Sequence, residues 1–123
     1  MNKNYDLIRH ILRYCKSIKD SIARFGDDVM VFKKDVDYRN SVCMSILQIG
    51  ELSNHLSQDY IQNNTVIPWK QIIGLRNICA HAYSTVDYEE IFDIAHNDID
   101  ELSRFCVSQL QENTFKEDED LEK

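Results

Sequence analysis

The chain has 123 residues, of which 43% are hydrophobic, only three are glycine and one is proline, and it carries a formal net charge of −7. That length suits one domain with a single core, and so few chain breakers exclude a many-turned β architecture. No stretch approaches the roughly 18 consecutive apolar residues of a membrane span, and Met1 to Asp6 lacks the basic-then-apolar pattern of a leader, so a soluble cytoplasmic chain is expected.

The charge is uneven. Glu112 to Lys123 holds six acids and two bases, so a helical domain over residues 1–112 and an acidic tail over 113–123 are expected. A generic basic surface for nucleic acid is thereby excluded, whereas a cleft where a few Arg and Lys converge is not. Cys15, Cys43, Cys79 and Cys106 form no C-x-x-C pair and read as small core residues.

In chain order, Ile8, Ile11, Cys15, Ile18, Ile22 and Phe25 follow a 3-4 spacing, which predicts a helix over about 4–25 with Gly26 as its C-terminal cap. Asp27 to Lys34 reads as a connector with one helical turn. Asp35 is the expected N-cap of a second helix, striped by Tyr38, Val42, Ile46, Ile49, Leu52 and Leu56 and ending in the polar stretch Ser57 to Thr65. Gly50 lies inside it at a cost of about 1 kcal/mol, which points to close approach by another helix or a ligand.

Pro68 is expected at the first position of a third helix carrying Trp69, Ile72, Leu75, Arg76, Cys79 and Ala80. Asp87 with Glu90 three residues on, and a staple from Val86 to Ile91, starts a fourth helix that continues through Ala95, Ile99, Leu102 and Leu110 into the acidic tail, itself expected to be disordered or a frayed helix end. Four amphipathic segments, five with the connector, make an all-α up-and-down bundle.

Arg76 falls on or beside the apolar stripe, where a guanidinium needs an acid, a carbonyl or a phosphate. One reading is a structural ion pair with Glu51; the other is an anion site. On an ideal helix His81 lies about 140° round from Arg76 and Tyr83 returns to within about 20°, so Arg76 and His81 act on one group only if the helix ends or distorts before His81 or the pair meets across a subunit boundary. Such a pair suits RNA cleavage, with His moving protons and Arg offsetting phosphate charge. Chance alone places an R-x-x-x-x-H in about one shuffled chain in five, so the surroundings must decide.

Those surroundings are Asp37-Tyr38-Arg39-Asn40-Ser41, Ile49-Gly50-Glu51, Ile67-Pro68-Trp69, Gly74-Leu75-Arg76-Asn77, His81-Ala82-Tyr83 and Val86-Asp87. In order and spacing they resemble the HepT-like branch of the HEPN superfamily, over roughly Asn4 to Leu110. The resemblance implies a helical, symmetric homodimer with a metal-independent endoribonuclease site near the dimer axis. It also implies the toxin role in a toxin–antitoxin pair whose antitoxin is a minimal nucleotidyltransferase. Arg76 and His81 then match the catalytic pair, Asn77 the supporting polar residue, and Tyr83 the tyrosine that receives AMP; no cofactor is implied. The rival reading is a non-catalytic module that binds a nucleotide or a partner through the same cleft, and a third is a structural dimer with Arg76 as an internal ion pair.

Other residues read more plainly. Glu51 and His55 at i, i+4 lack the further ligands of a metal site. His10 and His96 read as solvated surface, and Trp69 and Tyr60 as core rather than base-stacking platforms.

Overall fold

A computed structural model describes residues 3–80 and 87–122, with side chains as far as 112. Seven helices and no strand occur among them: α1 (Lys3–Phe25), α2 (Val29–Lys34), α3 (Val36–Ser53), α4 (Gln58–Asn63), α5 (Trp69–Ala80), α6 (Tyr88–His96) and α7 (Asp98–Glu122). The long helices pack as α5 on α3, α3 on α1 and α1 on α7, the all-α bundle that the apolar stripes require. Its core is Ile8, Ile11, Ile18, Tyr38, Ile46, Ile49, Ile72, Ile91, Leu102 and their buried neighbours. No helix among the described residues is long and apolar enough to cross a membrane.

The punctuation residues act as their chemistry dictates. Gly26 ends α1 at φ 116°, a conformation that an L side chain resists. Asp35 caps α3 by accepting from the backbone N–H groups of Asp37 and Tyr38, and Asp87 caps α6 by accepting from those of Glu89 and Glu90. Val86, the first half of the expected staple, lies outside the described residues. Pro68 sits one position earlier than expected, with its carbonyl accepting from Ile72 N at 3.0 Å as α5 opens at Trp69.

The structure differs from the sequence reading in three elements. The polar stretch after α3 contains α4, because Ser57 caps it by accepting from Tyr60 N, and Asn4 on α1 bonds both the Ser57 backbone and its hydroxyl at 3.0 Å. A helix of six residues with no buried side chain leaves no apolar stripe to read. The second expected helix also stops at Ser53, so His55 lies beyond its end and does not share a helical face with Glu51.

The expected fourth helix is two, α6 and α7, joined at Asn97. Beside that junction His96 donates from Nδ1 to the Phe92 carbonyl at 2.8 Å, and its Nε2 lies 2.6 Å from Asp27 Oδ1 in the α1–α2 turn. His96 is therefore a structural tie and not the solvated residue expected. The backbone of α7 runs on through the acidic segment to Glu122.

Cys15, Cys79 and Cys106 are buried and Cys43 is half-buried. Burial pushes the Cys15 thiol up to about 12 and raises Cys106 as well, which keeps both neutral. Trp69 is 3% exposed and donates from its indole N–H to the Asn64 carbonyl at 2.9 Å, while Tyr60 donates to Gln109 Oε1 at 2.8 Å. Both are held in the packing, as expected.

Candidate functional site

The site grows from the contact between α3 and α5. A β-carbon on Gly50 would lie 3.0 Å from the Arg76 Cβ, 3.3 Å from the Ile73 carbonyl and 3.4 Å from Arg76 N, so only a glycine lets the α5 backbone come this close. The helical cost of Gly50 thus has a packing reason, and the helix that approaches is the one bearing Arg76.

Arg76 is not buried as its place on the stripe suggested. Its stem lies over Gly50 while the guanidinium reaches the surface, leaving the side chain 33% exposed, and Nη1 donates to Glu51 Oε1 at 2.7 Å. Glu51 is 53% exposed, so the pair is solvated and contributes at most about 1 kcal/mol. The Glu51 partner that the structural reading expects is thus present, but the pair lies at the surface and not in the interior. Among the described residues one hydrogen bond, to Glu51, engages the guanidinium, and a planar five-donor group of this kind is suited to meeting an anion along a further edge.

Asn77 follows on α5 and is exposed. The helix is continuous from Trp69 to Ala80, so no distortion separates Arg76 from the residue before His81. His81 and Tyr83 lie outside the described residues. The structure thus brings Glu51 and Arg76 together, leaves Asn77 exposed on the same helix, and ends α5 at Ala80, the residue before His81.

The first turn of α6 is held by contacts the sequence did not reveal. Arg39 places its guanidinium 4.5 Å from the centre of the Tyr88 ring and donates to the Phe32 and Lys33 carbonyls, capping α2 while holding the first turn of α6. Lys33 pairs with Glu89 on the same turn. A cation that serves three elements has no one-dimensional signature beyond lying in the Asp37 to Ser41 run. Arg39→Ala is expected to cost about 2 kcal/mol, combining an exposed cation–π contact with charge-assisted hydrogen bonds. Denaturant unfolding checks this as a lowered midpoint at unchanged slope.

The electrostatics differ between the two sides of α5. Facing α6 is a groove of about 690 Å³ lined by Asp87, Glu89, Glu90, Asp93 and Asp98 along with Gly74 and Ile78. Partial burial, and then Glu101, pushes the Asp98 carboxyl above its usual range. Facing α3 is Arg76. No group of three or more His, Cys, Asp or Glu that could hold a metal occurs among the described residues.

The model of the ribonuclease HepT-like family matches residues 11–120, nearly the whole chain. The chain belongs to the HepT-like family. This HepT-like chain is 31% identical over 101 residues to the protein named "Putative RNase MJ1380" of Methanocaldococcus jannaschii, covering 75% of this chain and 93% of that relative. It is 28% identical over 104 residues to "Putative RNase TTE0752" of Caldanaerobacter subterraneus subsp. tengcongensis, covering 85% of this chain and 91% of the relative. No solved structure matches it.

Proposed function

We propose that this HepT-like chain is a metal-independent endoribonuclease that uses Arg76 and His81. The observation that carries the reading is a guanidinium brought to the surface over Gly50, held on one edge by Glu51, on the helix that leads straight into His81. Family membership and the names of its relatives support ribonuclease activity. In this reading His81 moves a proton to or from the 2′-hydroxyl or the leaving oxygen, and Arg76 offsets the charge that develops on the phosphate. Asn77 contributes a polar contact to the backbone, and Glu51 orients the guanidinium. RNA approaches over the α3–α5 face, because the five carboxylates of the α5–α6 groove repel phosphate.

The same reading makes the protein a homodimer and the toxin of a pair, with a nucleotidyltransferase antitoxin that transfers AMP to Tyr83. Nucleotide on Tyr83, seven residues beyond Arg76, adds negative charge and bulk where RNA must enter. The decisive experiment is RNA cleavage by purified protein in EDTA, beside Arg76→Ala and His81→Ala variants of normal fold. Cleavage by the wild type and its loss in both variants is the expected result; no cleavage by unmodified wild type favours a non-catalytic binding module at the same place. Tyr83→Phe is expected to keep cleavage and abolish AMP incorporation by the nucleotidyltransferase, read by intact mass.

A further inference from the structure

The α3–α5 contact that presents Arg76 also brings two thiols together. Gly50 meets Ile73 and Arg76, and seven residues, two helical turns, return to nearly the same helical face. Cys43 lies seven residues before Gly50 on α3, and Cys79 lies three residues, about one turn, beyond Arg76 on α5, so both sit along the contact between the two packed helices. Their side chains are hydrogen-bonded to one another. Cys79 is 3% exposed, whereas Cys43 is half-buried and reachable.

We infer that Cys43 and Cys79 form an oxidative modification site, a thiol pair that peroxide converts to an intramolecular disulfide clamping α3 to α5. Cys43 is the attacking sulfur. The Cys79 thiol donates to it and the Arg39 guanidinium lies near, and together these hold the Cys43 thiol below its ordinary value against the opposing effect of burial. The same hydrogen bond, with burial, raises Cys79 and keeps it protonated as the donor. At Cys15 burial outweighs the nearby Lys19, and at Cys106 burial and then Cys15 both act upward, so these two thiols stay neutral.

The chemistry closes without a further reactant. The Cys43 thiolate attacks one oxygen of hydrogen peroxide, the O–O bond breaks, and the departing hydroxide takes a solvent proton to leave water and a Cys43 sulfenic acid. The Cys79 sulfur then attacks the Cys43 sulfur, the S–O bond breaks, and the hydroxide leaves as water with the Cys79 proton. Two thiols and one peroxide become one disulfide and two waters; the sulfur pair loses two electrons and the peroxide gains them. The new bond falls one helical turn from Arg76 and two residues before His81.

This site stands apart from the RNA-cleavage reading, and its test reads thiols. The full chain is treated with hydrogen peroxide under native conditions, alkylated, digested without reductant and mapped by mass. The expected result is a linked peptide joining Cys43 and Cys79, lighter by two hydrogens than the reduced pair and reversed by dithiothreitol, in a chain that stays monomeric on denaturing gels. Cys79→Ser is expected to leave a Cys43 sulfenic acid that dimedone traps, and Cys43→Ser to abolish both products. Iodoacetamide labelling of the wild type, which needs no variant to fold, is expected to modify Cys43 at least tenfold faster than Cys15 or Cys106. Cys43 labelled no faster than those two, a peroxide product linking other cysteines or separate chains, or Cys43 and Cys79 both still free overturns the inference.

Discussion

Replacing Arg76 with alanine is expected to lower RNA cleavage by about 10²- to 10³-fold while lowering stability by less than about 1 kcal/mol. The two halves come from different physics. Stability changes little because the Arg76–Glu51 pair is solvated, so Glu51 loses a partner and regains water. In the proposed role cleavage changes much because a fixed guanidinium offsets the additional negative charge that develops on the phosphate in the transition state, which water must reorganise to do. His81→Ala is expected to lose about 10²- to 10⁴-fold, the usual range for removing a general acid or base. Arg76→Lys should recover little, since a point charge on a flexible stem cannot hold Glu51 on one edge and a phosphate on another. Single-turnover cleavage beside thermal melts separates the cases. A loss of several kcal/mol with cleavage intact would show Arg76 to be a structural residue and would end this reading.

Much of the fold could be read because its signals are local. A glycine with φ 116° after an amphipathic run, and aspartates accepting from N–H groups two and three residues on, are decided by neighbours in sequence, and Gly26, Asp35 and Asp87 were placed on that basis. What escaped the sequence depends on partners far along the chain. The cap of α4 leans on Asn4, 53 residues from Ser57, and the His96 ring beside the α6–α7 junction is tied to Asp27, 69 residues away. Hydrophobic periodicity runs straight through that junction because Ile91, Ala95, Ile99 and Leu102 are buried on both sides of it. At the site, the pairing of Arg76 with Glu51 and the tight approach at Gly50 were legible in residue types. The exposure of Arg76 was not, since a stripe records where a Cα faces and not how far a long side chain reaches out of it. Arg39 shows the same limit: its α2 carbonyls and its Tyr88 ring come together only in three dimensions.

A graded series at Gly50 is expected to produce the largest loss of stability among substitutions near the site, and to carry activity with it. Alanine in a helix interior normally gains about 1 kcal/mol over glycine. Here its methyl would press on the Arg76 Cβ and on the Ile73 carbonyl, neither of which is the free end of a flexible side chain, so the two helices must part by several tenths of an ångström. Overpacking of this type costs about 1–3 kcal/mol, which makes Gly50→Ala neutral to modestly destabilising and Gly50→Leu destabilising by about 3 kcal/mol or more. Activity should fall faster than stability, because displacement of about 1 Å at a catalytic group costs about 10²-fold. Gly50→Ala, still folded, is therefore the informative variant: its melt should stay near wild type while its cleavage drops. A Gly50→Leu protein that melts and cleaves as wild type would mean that α5 does not approach α3 this closely, and the mechanism by which Arg76 reaches the surface would have to be abandoned.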